Sequence, residues 1–490
     1  MKKIIIIILI TVFFASCKKS FLEVTPLGSQ LAVTTADYDK IMNDPALYFS
    51  ISNSGLSEAQ LMGDEADAQA GQFNGIDATG QRERFFEWAD VIYPHVTSPL
   101  PGMLSLQLTQ RYALNKVIKE VMGATEGTPQ AKSRIRAEAL ATRAWSNFQL
   151  VNYYCKPYTA ATAGTDMGFP LITEPDVNSP VFNRGTLQQT YDAIIQDLTD
   201  AIAALPETPA LKTRMSKPAA QGLLGKVYLF MGKPADALPF LKSALASVTA
   251  SGMSALYNYN TALATGGSFL PVNPSIGPLN GPGNNNADLK EAIVSKVFYS
   301  GRYNFNVTGN NGLILSAQAA ALYGPDDKRL LLYSNVNSSG EVITVGGKLR
   351  KYGVQYSRWG LQLPELYLLS AECKARLNDL AGAKNDVETL RQNRMPAEDA
   401  VVPASIANNQ TALIKFIIDE RTREFAMEGY RWGDMRRLSV DPLYTGTVFT
   451  HNIYDAAGAA TTYTLNQPER LVLKLPDYIV DSNPGMVNNP

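Results

Sequence analysis

The chain has 490 residues, 45% of them hydrophobic and 18% charged, with 44 Lys and Arg set against 45 Asp and Glu. A formal net charge of −1 provides no field for gathering nucleic acid, and no basic stripe with interleaved aromatics is present. Two histidines and three cysteines, without Cys-x-x-Cys or His-x-x-x-His spacing, argue against a His-based triad or a zinc cluster.

The first element is a leader. Lys2 and Lys3 precede an apolar run from Ile4 to Phe14, which is short of the roughly 20 residues a membrane span needs. Ala15 and Ser16, both small, then precede Cys17 in "SCKKSFLEVTP". One reading is an ordinary secretory signal with an incidental cysteine. The other is a lipoprotein leader, residues 1–16, after which Cys17 becomes the first residue of the mature chain and takes lipid on its thiol. The second reading explains why a cysteine stands there, and it predicts a firm tether, because each buried methylene adds about 0.8 kcal/mol and two or more acyl chains hold stably. Cys155 and Cys373 are then predicted to be buried thiols, since two distant cysteines make no disulfide framework.

Residues 17–490 read as a single domain in which helical blocks alternate with irregular insertions. A polar, aromatic-dotted insertion covers about 63–100. Its Asp64, Glu65 and Asp67 lack the spacing and closing Glu of an EF-hand, so a solvated acidic loop without metal is expected. Helical scaffold follows over about 106–248, where Ala137, Ala141, Ala144, Phe148 and Val151 recur at three- and four-residue steps. A second insertion spans about 250–360. Within it Gly, Pro and Asn supply 14 of the 21 residues from Gly266 to Asn286, which must therefore be loop. Helix resumes over about 363–438.

The two helical blocks repeat one another. "LLGKVYLFMGKPADALPFL" aligns with "LLSAECKARLNDLAGAKNDV", pairing Gly232 with Asn378 and Ala237 with Ala383. A helix, a tight turn and a second helix opening on alanines is the tetratricopeptide-type hairpin, where small residues let helices approach closely. In "DERTREFAMEGYRWGDMRRL", Glu420, Glu424 and Glu428 share a helix face. Ion pairs with Arg431, Arg436 or Arg437 are expected after the turn at Gly429. Arginines on every side would hold these acids ionised, which suits a structural role better than the acid of a glycoside hydrolase.

Taken with "AEALATRAWSNFQLVNYY", "LPELYLLSAECKARLNDLAGAKNDVETLRQNR" and the ending "LVLKLPDYIVDSNPGMVNNP", these stretches resemble the SusD/RagB family of outer-membrane nutrient-binding lipoproteins from end to end. The resemblance implies a mainly α, tetratricopeptide-like scaffold with long loop insertions. It also implies a place on the outer face of the outer membrane, held there by acylated Cys17. The implied partner is a SusC-type TonB-dependent transporter, which receives an oligosaccharide, or less often a peptide, captured without catalysis, cofactor or metal. A scaffold lipoprotein binding a peptide or protein is the alternative.

A sugar offers a CH face and a rim of hydroxyls, so its site needs exposed aromatic platforms with polar groups around them. Trp145, Phe148 and Tyr228 fall on apolar helix stripes and are expected in the core, as are Trp88, Trp359 and Trp432. Loop aromatics are the better candidates. These are Phe73, Asn74 and Arg82 in the first insertion and Tyr299, Arg302, Tyr303 and Asn304 in the second.

Overall fold

The computed structural model describes residues 32–51, 57–73, 80–93, 101–176, 182–274, 276–299, 312–336, 340–342, 345–352 and 355–490. Cys17, Asn74, Arg302, Tyr303 and Asn304 lie outside the described residues. The body is an α-helical array: α1 (Gly102–Glu120), α2 (Pro129–Tyr154), α3 (Leu187–Ile202), α4 (Lys217–Phe230) and α5 (Pro234–Ser251), then α6 (Leu363–Arg376), α7 (Leu380–Arg391), α8 (Gln410–Phe425) and α9 (Arg431–Ser439). Each helix from α1 to α5 packs on its successor, and α6 packs on α5 as well as on α7 and α8. The second insertion is thus looped out, and the array continues across it as a tetratricopeptide-like scaffold.

Local chemistry explains the helix ends. Thr128 caps α2 by accepting from the Ala131 N–H at 3.1 Å, and Pro129 opens the helix. The two repeat turns adopt the same backbone: Gly232 has φ 72° and Asn378 φ 65°, and these are the residue types that tolerate the left-handed region best. Close approach is equally visible, since a Cβ at Gly225 of α4 would sit 2.6 Å from Leu241 Cγ of α5. Helix α2 runs through the middle of the array and is buried nearly all round, with Trp145 and Phe148 in the core. Trp88, Trp359 and Trp432 are buried too, while Tyr228 is half-buried and stacks on Phe240.

Parts of the insertions that read as loop are strands. Strand β1 (Phe49–Ile51) pairs in parallel with β4 (Val297–Tyr299), whose other edge takes β6 (Tyr356–Arg358) antiparallel. A second sheet has the order β9 (Ala460–Thr464), β8 (Thr450–Tyr454), β2 (Ala66–Gln69), β5 (Leu313–Leu315). It therefore joins the first insertion to the second and to the C-terminal segment. Strand β3 (Ala292–Val294) pairs with β7 (Leu361–Gln362), which leads directly into α6.

The acidic stretch at the first insertion is not solvated, contrary to expectation. Asp67 is fully buried on β2 and accepts the Asn452 N–H at 2.8 Å. Asp64 pairs with Arg431 at 2.6 Å, and buried Glu65 accepts the Met427 N–H at 3.0 Å. His451 of β8 is sandwiched between the rings of Phe86 and Trp88, at 4.2 and 3.8 Å. Its Nδ1 lies 2.6 Å from the Phe86 carbonyl and its Nε2 2.8 Å from that of Gly63, pinning two separate points of the first insertion to the second sheet.

The three glutamates do form ion pairs, with different partners from those expected, but only Glu420 and Glu424 share α8. The helix ends at Phe425, and the chain turns left-handed at Met427 (φ 62°), taking Glu428 off its face. Glu420 meets Arg423, Arg391 and Arg329 at 2.7–2.8 Å. Glu424 meets Arg394 and Arg329, and Glu428 meets Lys351 at 2.6 Å. Arg437 instead forks onto Glu372 of α6 at 2.7 and 2.8 Å, and Arg436 donates to backbone carbonyls of Leu471 and Val151. Tertiary packing brings in distant cations, whereas spacing along one helix could register only near ones. Burial opposes the charge on Glu420, yet Arg329, Arg423 and Arg391 hold its carboxyl well below the ordinary range.

Candidate functional site

Strand pairing assembles an aromatic surface from three distant segments. Tyr299 lies directly opposite Tyr356 in the β4–β6 register, and Phe49 enters from β1 two residues away from the partner of Tyr299. The Phe49 and Tyr299 rings stack at 6.1 Å and 27°, Tyr299 and Tyr356 are 5.7 Å apart, and Phe49 and Tyr356 are 6.4 Å apart. All three side chains are half-buried, so their rings contact one another and keep some surface free. Three aromatic rings on paired strands, inclined 27–54° to one another, present apolar faces of the kind that the CH face of a sugar packs against.

Beside this platform lies a pocket of about 940 Å3, counting its open mouth, to which Tyr356 also contributes. Tyr257 and Tyr352 add further aromatic wall, while Phe425, Gln362 and Pro364, all buried, close the inner side. The acids around the pocket are already engaged. Arg394 bridges Glu291 and Glu424 at 2.8 Å each while its guanidinium stacks 4.3 Å from the Tyr259 ring. Lys351 takes Glu428, and Asp288 accepts the Tyr257 hydroxyl. Burial pushes the Glu291 carboxyl up, opposed by Arg394. Burial, with Asp288 next, pushes the Tyr257 phenol up.

Of the residues expected to bind ligand, Tyr299 sits in the platform. Phe73 is half-buried on the turn Ala70–Phe73, with its ring 5.3 Å from Phe86. Arg82 is buried on the short helix Gln81–Phe86. The others lie outside the described residues. Phe49 and Tyr356 had not been expected, because each belongs to a three-residue strand whose partners are remote in sequence. The alternation of Tyr356, Ser357, Arg358 and Trp359 was the available signal for a strand. Among the described residues no group of three or more His, Cys, Asp or Glu is arranged to hold a metal ion, and no helix is long and apolar enough to cross a membrane.

Two family models match the chain, together over more than half of it. One, described as starch-binding associating with outer membrane, covers residues 110–229, and the other, described as the SusD family, covers residues 304–490. The chain belongs to the SusD/RagB family. Solved SusD-type structures share its fold along almost the whole length. A SusD superfamily protein of Bacteroides thetaiotaomicron superposes with a TM-score of 0.69 at 18% identity, covering 94% of this chain and 100% of that one. A SusD-like carbohydrate-binding protein of Bacteroides vulgatus gives 0.67 at 17% identity, covering 93% and 97%. A laminarin-binding SusD-like protein gives 0.62 at 18% identity, covering 93% and 98%. No curated protein sequence matches the chain.

Proposed function

We propose that this SusD/RagB protein captures an oligosaccharide on the Phe49–Tyr299–Tyr356 platform and passes it, without chemical change, to a SusC-type TonB-dependent transporter. The aromatic platform carries the reading, because three half-buried rings on paired strands form a surface for sugar stacking. The starch-binding family description and the laminarin-binding relative support carbohydrate as the ligand class. In this reading Phe73, Asn74 and Arg82 of the first insertion and Arg302, Tyr303 and Asn304 of the second are further candidate ligand contacts. Acylated Cys17 holds the protein to the outer membrane, facing outward.

Binding rather than turnover is supported by the engagement of the pocket's carboxylates: Glu291 and Glu424 share Arg394, Glu428 takes Lys351 and Asp288 accepts the Tyr257 hydroxyl.

Isothermal titration of the chain from residue 18 onward against oligosaccharide and peptide panels tests the proposal. Heat is expected with oligosaccharides. Tyr299→Ala and Tyr356→Ala should each weaken binding by about 1–3 kcal/mol, the scale of losing a well-packed anchor, with little change in melting temperature. Heat with peptides alone, or undiminished glycan affinity in both variants, overturns it.

A further inference from the structure

Tyr356 and Arg358 are two residues apart on β6, so their side chains leave the same face of the sheet about 7 Å from each other. Tyr356 belongs to the platform, and both residues border the pocket. A path along β6 therefore leads from an open aromatic surface into a recess whose inner side is formed by core residues. Polar groups wait there without partners. Arg358 is 8% exposed. Its Nη2 donates to the carbonyls of Pro282 and Asn285 at 3.1 and 2.9 Å, while its Nε and Nη1 have no hydrogen-bond partner. Gln362 Nε2 and Asn284 Oδ1 at the same pocket are also unpartnered. Unpaired buried donors are costly, and these atoms, each with less than 1 Å2 exposed, sit just behind the wall of one recess, where a ligand meets them once the side chains shift toward it.

We propose that this recess is an end-recognition pocket, which takes one terminal sugar of a glycan whose interior lies on the Phe49–Tyr299–Tyr356 platform. The inference rests on the carbohydrate reading above and sharpens it. A recess closed on its inner side cannot thread the middle of a chain, so only an end enters. Hydroxyl groups both accept and donate, and so can pair with the Arg358 and Gln362 donors and the Asn284 acceptor when these side chains turn from behind the wall to the ligand. Tyr352 and Tyr356 wall the recess with rings against which a single pyranose can pack.

Titrations with linear hexasaccharides of starch, laminarin, xylan, mannan and galactan test this, each in three forms: unmodified, tagged at the reducing end with 2-aminobenzamide, and capped at the non-reducing end. The corresponding intact polysaccharides, poor in ends, complete the set. Blocking one of the two ends is expected to weaken binding at least about tenfold, the loss of one or two charge-assisted hydrogen bonds. Two variants should erase that discrimination while keeping binding to intact polysaccharide. Arg358→Met removes the unpaired donors. Gly281→Phe fills the recess from a position where an added Cβ meets only ordinary contacts, the nearest at 3.5 Å, so it serves if the first variant folds poorly. Free and blocked ends bound within about twofold, or discrimination surviving in Gly281→Phe, overturns the pocket assignment and leaves the platform standing. Absence of heat with every glycan overturns the carbohydrate reading itself.

Discussion

Glu65 shows how far one side chain can be driven by its surroundings. Its Oε1 accepts the Met427 N–H, but its Oε2 is buried without a partner. Burial, reinforced by the neighbouring Asp64 carboxylate, pushes its pKa up from 4.5 to about 7. Between those values the folded chain keeps a proton that the unfolded chain has released. Its contribution to stability is therefore complete below pH 4.5 and is lost as pH rises through about 7. The loss amounts to about 3 kcal/mol. Glu65→Gln, which fixes the neutral form, is expected to leave the melting temperature nearly unchanged at pH 4 and to raise it at pH 8. Thermal melts across that range check this, and an equal shift at both pH values would remove Glu65 as the cause. His451, clasped by two carbonyls and two rings on β8, belongs to the same buried region and fastens the Gly63 and Phe86 backbones together.

Among the elements, the helical hairpins depend on small residues at the crossings. A Cβ at Gly225 would lie 2.6 Å from Leu241 Cγ and 3.2 Å from the Ala237 carbonyl, so Gly225→Leu must push α4 and α5 apart. A cost of about 1–3 kcal/mol is expected, read as a lower urea midpoint with an unchanged slope. An unaltered midpoint would mean that the pair tolerates separation. These hairpins were legible in the sequence because their signals are local: apolar residues at helical spacing, and Gly232 and Asn378 where the chain must turn left-handed. The strands were not. β1, β4 and β6 are three residues each, and nothing near Phe49 announces that it will stack on Tyr299 and Tyr356. Asp67 misled for the same reason, since a lone acid among polar residues looks solvated until Asn452 arrives from the far end of the chain to hold it. Tyr299 could be picked out only as an aromatic in a polar insertion, and its sheet partners could not.

At the level of the whole molecule, a charge network ties the later helices together. Glu420 and Glu424 gather four arginines, and Arg437 links α9 to α6 through Glu372. Such pairs add little over apolar packing, but removing one member strands a buried charge at a cost of about 3–5 kcal/mol. They fix how the helices sit and so hold the base on which the insertions rest. The proposed tether acts at the same scale. Cys17→Ala is expected to abolish incorporation of radiolabelled palmitate and to move the protein from the membrane to the soluble fraction. Continued membrane residence without label would disprove the lipid anchor while leaving the fold untouched.

The sheet ordered β9, β8, β2, β5 draws its strands from both insertions and from the C-terminal segment. Anyone seeking to retarget this protein by loop exchange inherits that arrangement. Transplanting one insertion from a relative would leave β2 or β5 facing a strand of foreign sequence, so altered ligand choice should be transferable only when the excursions are swapped together as a cassette.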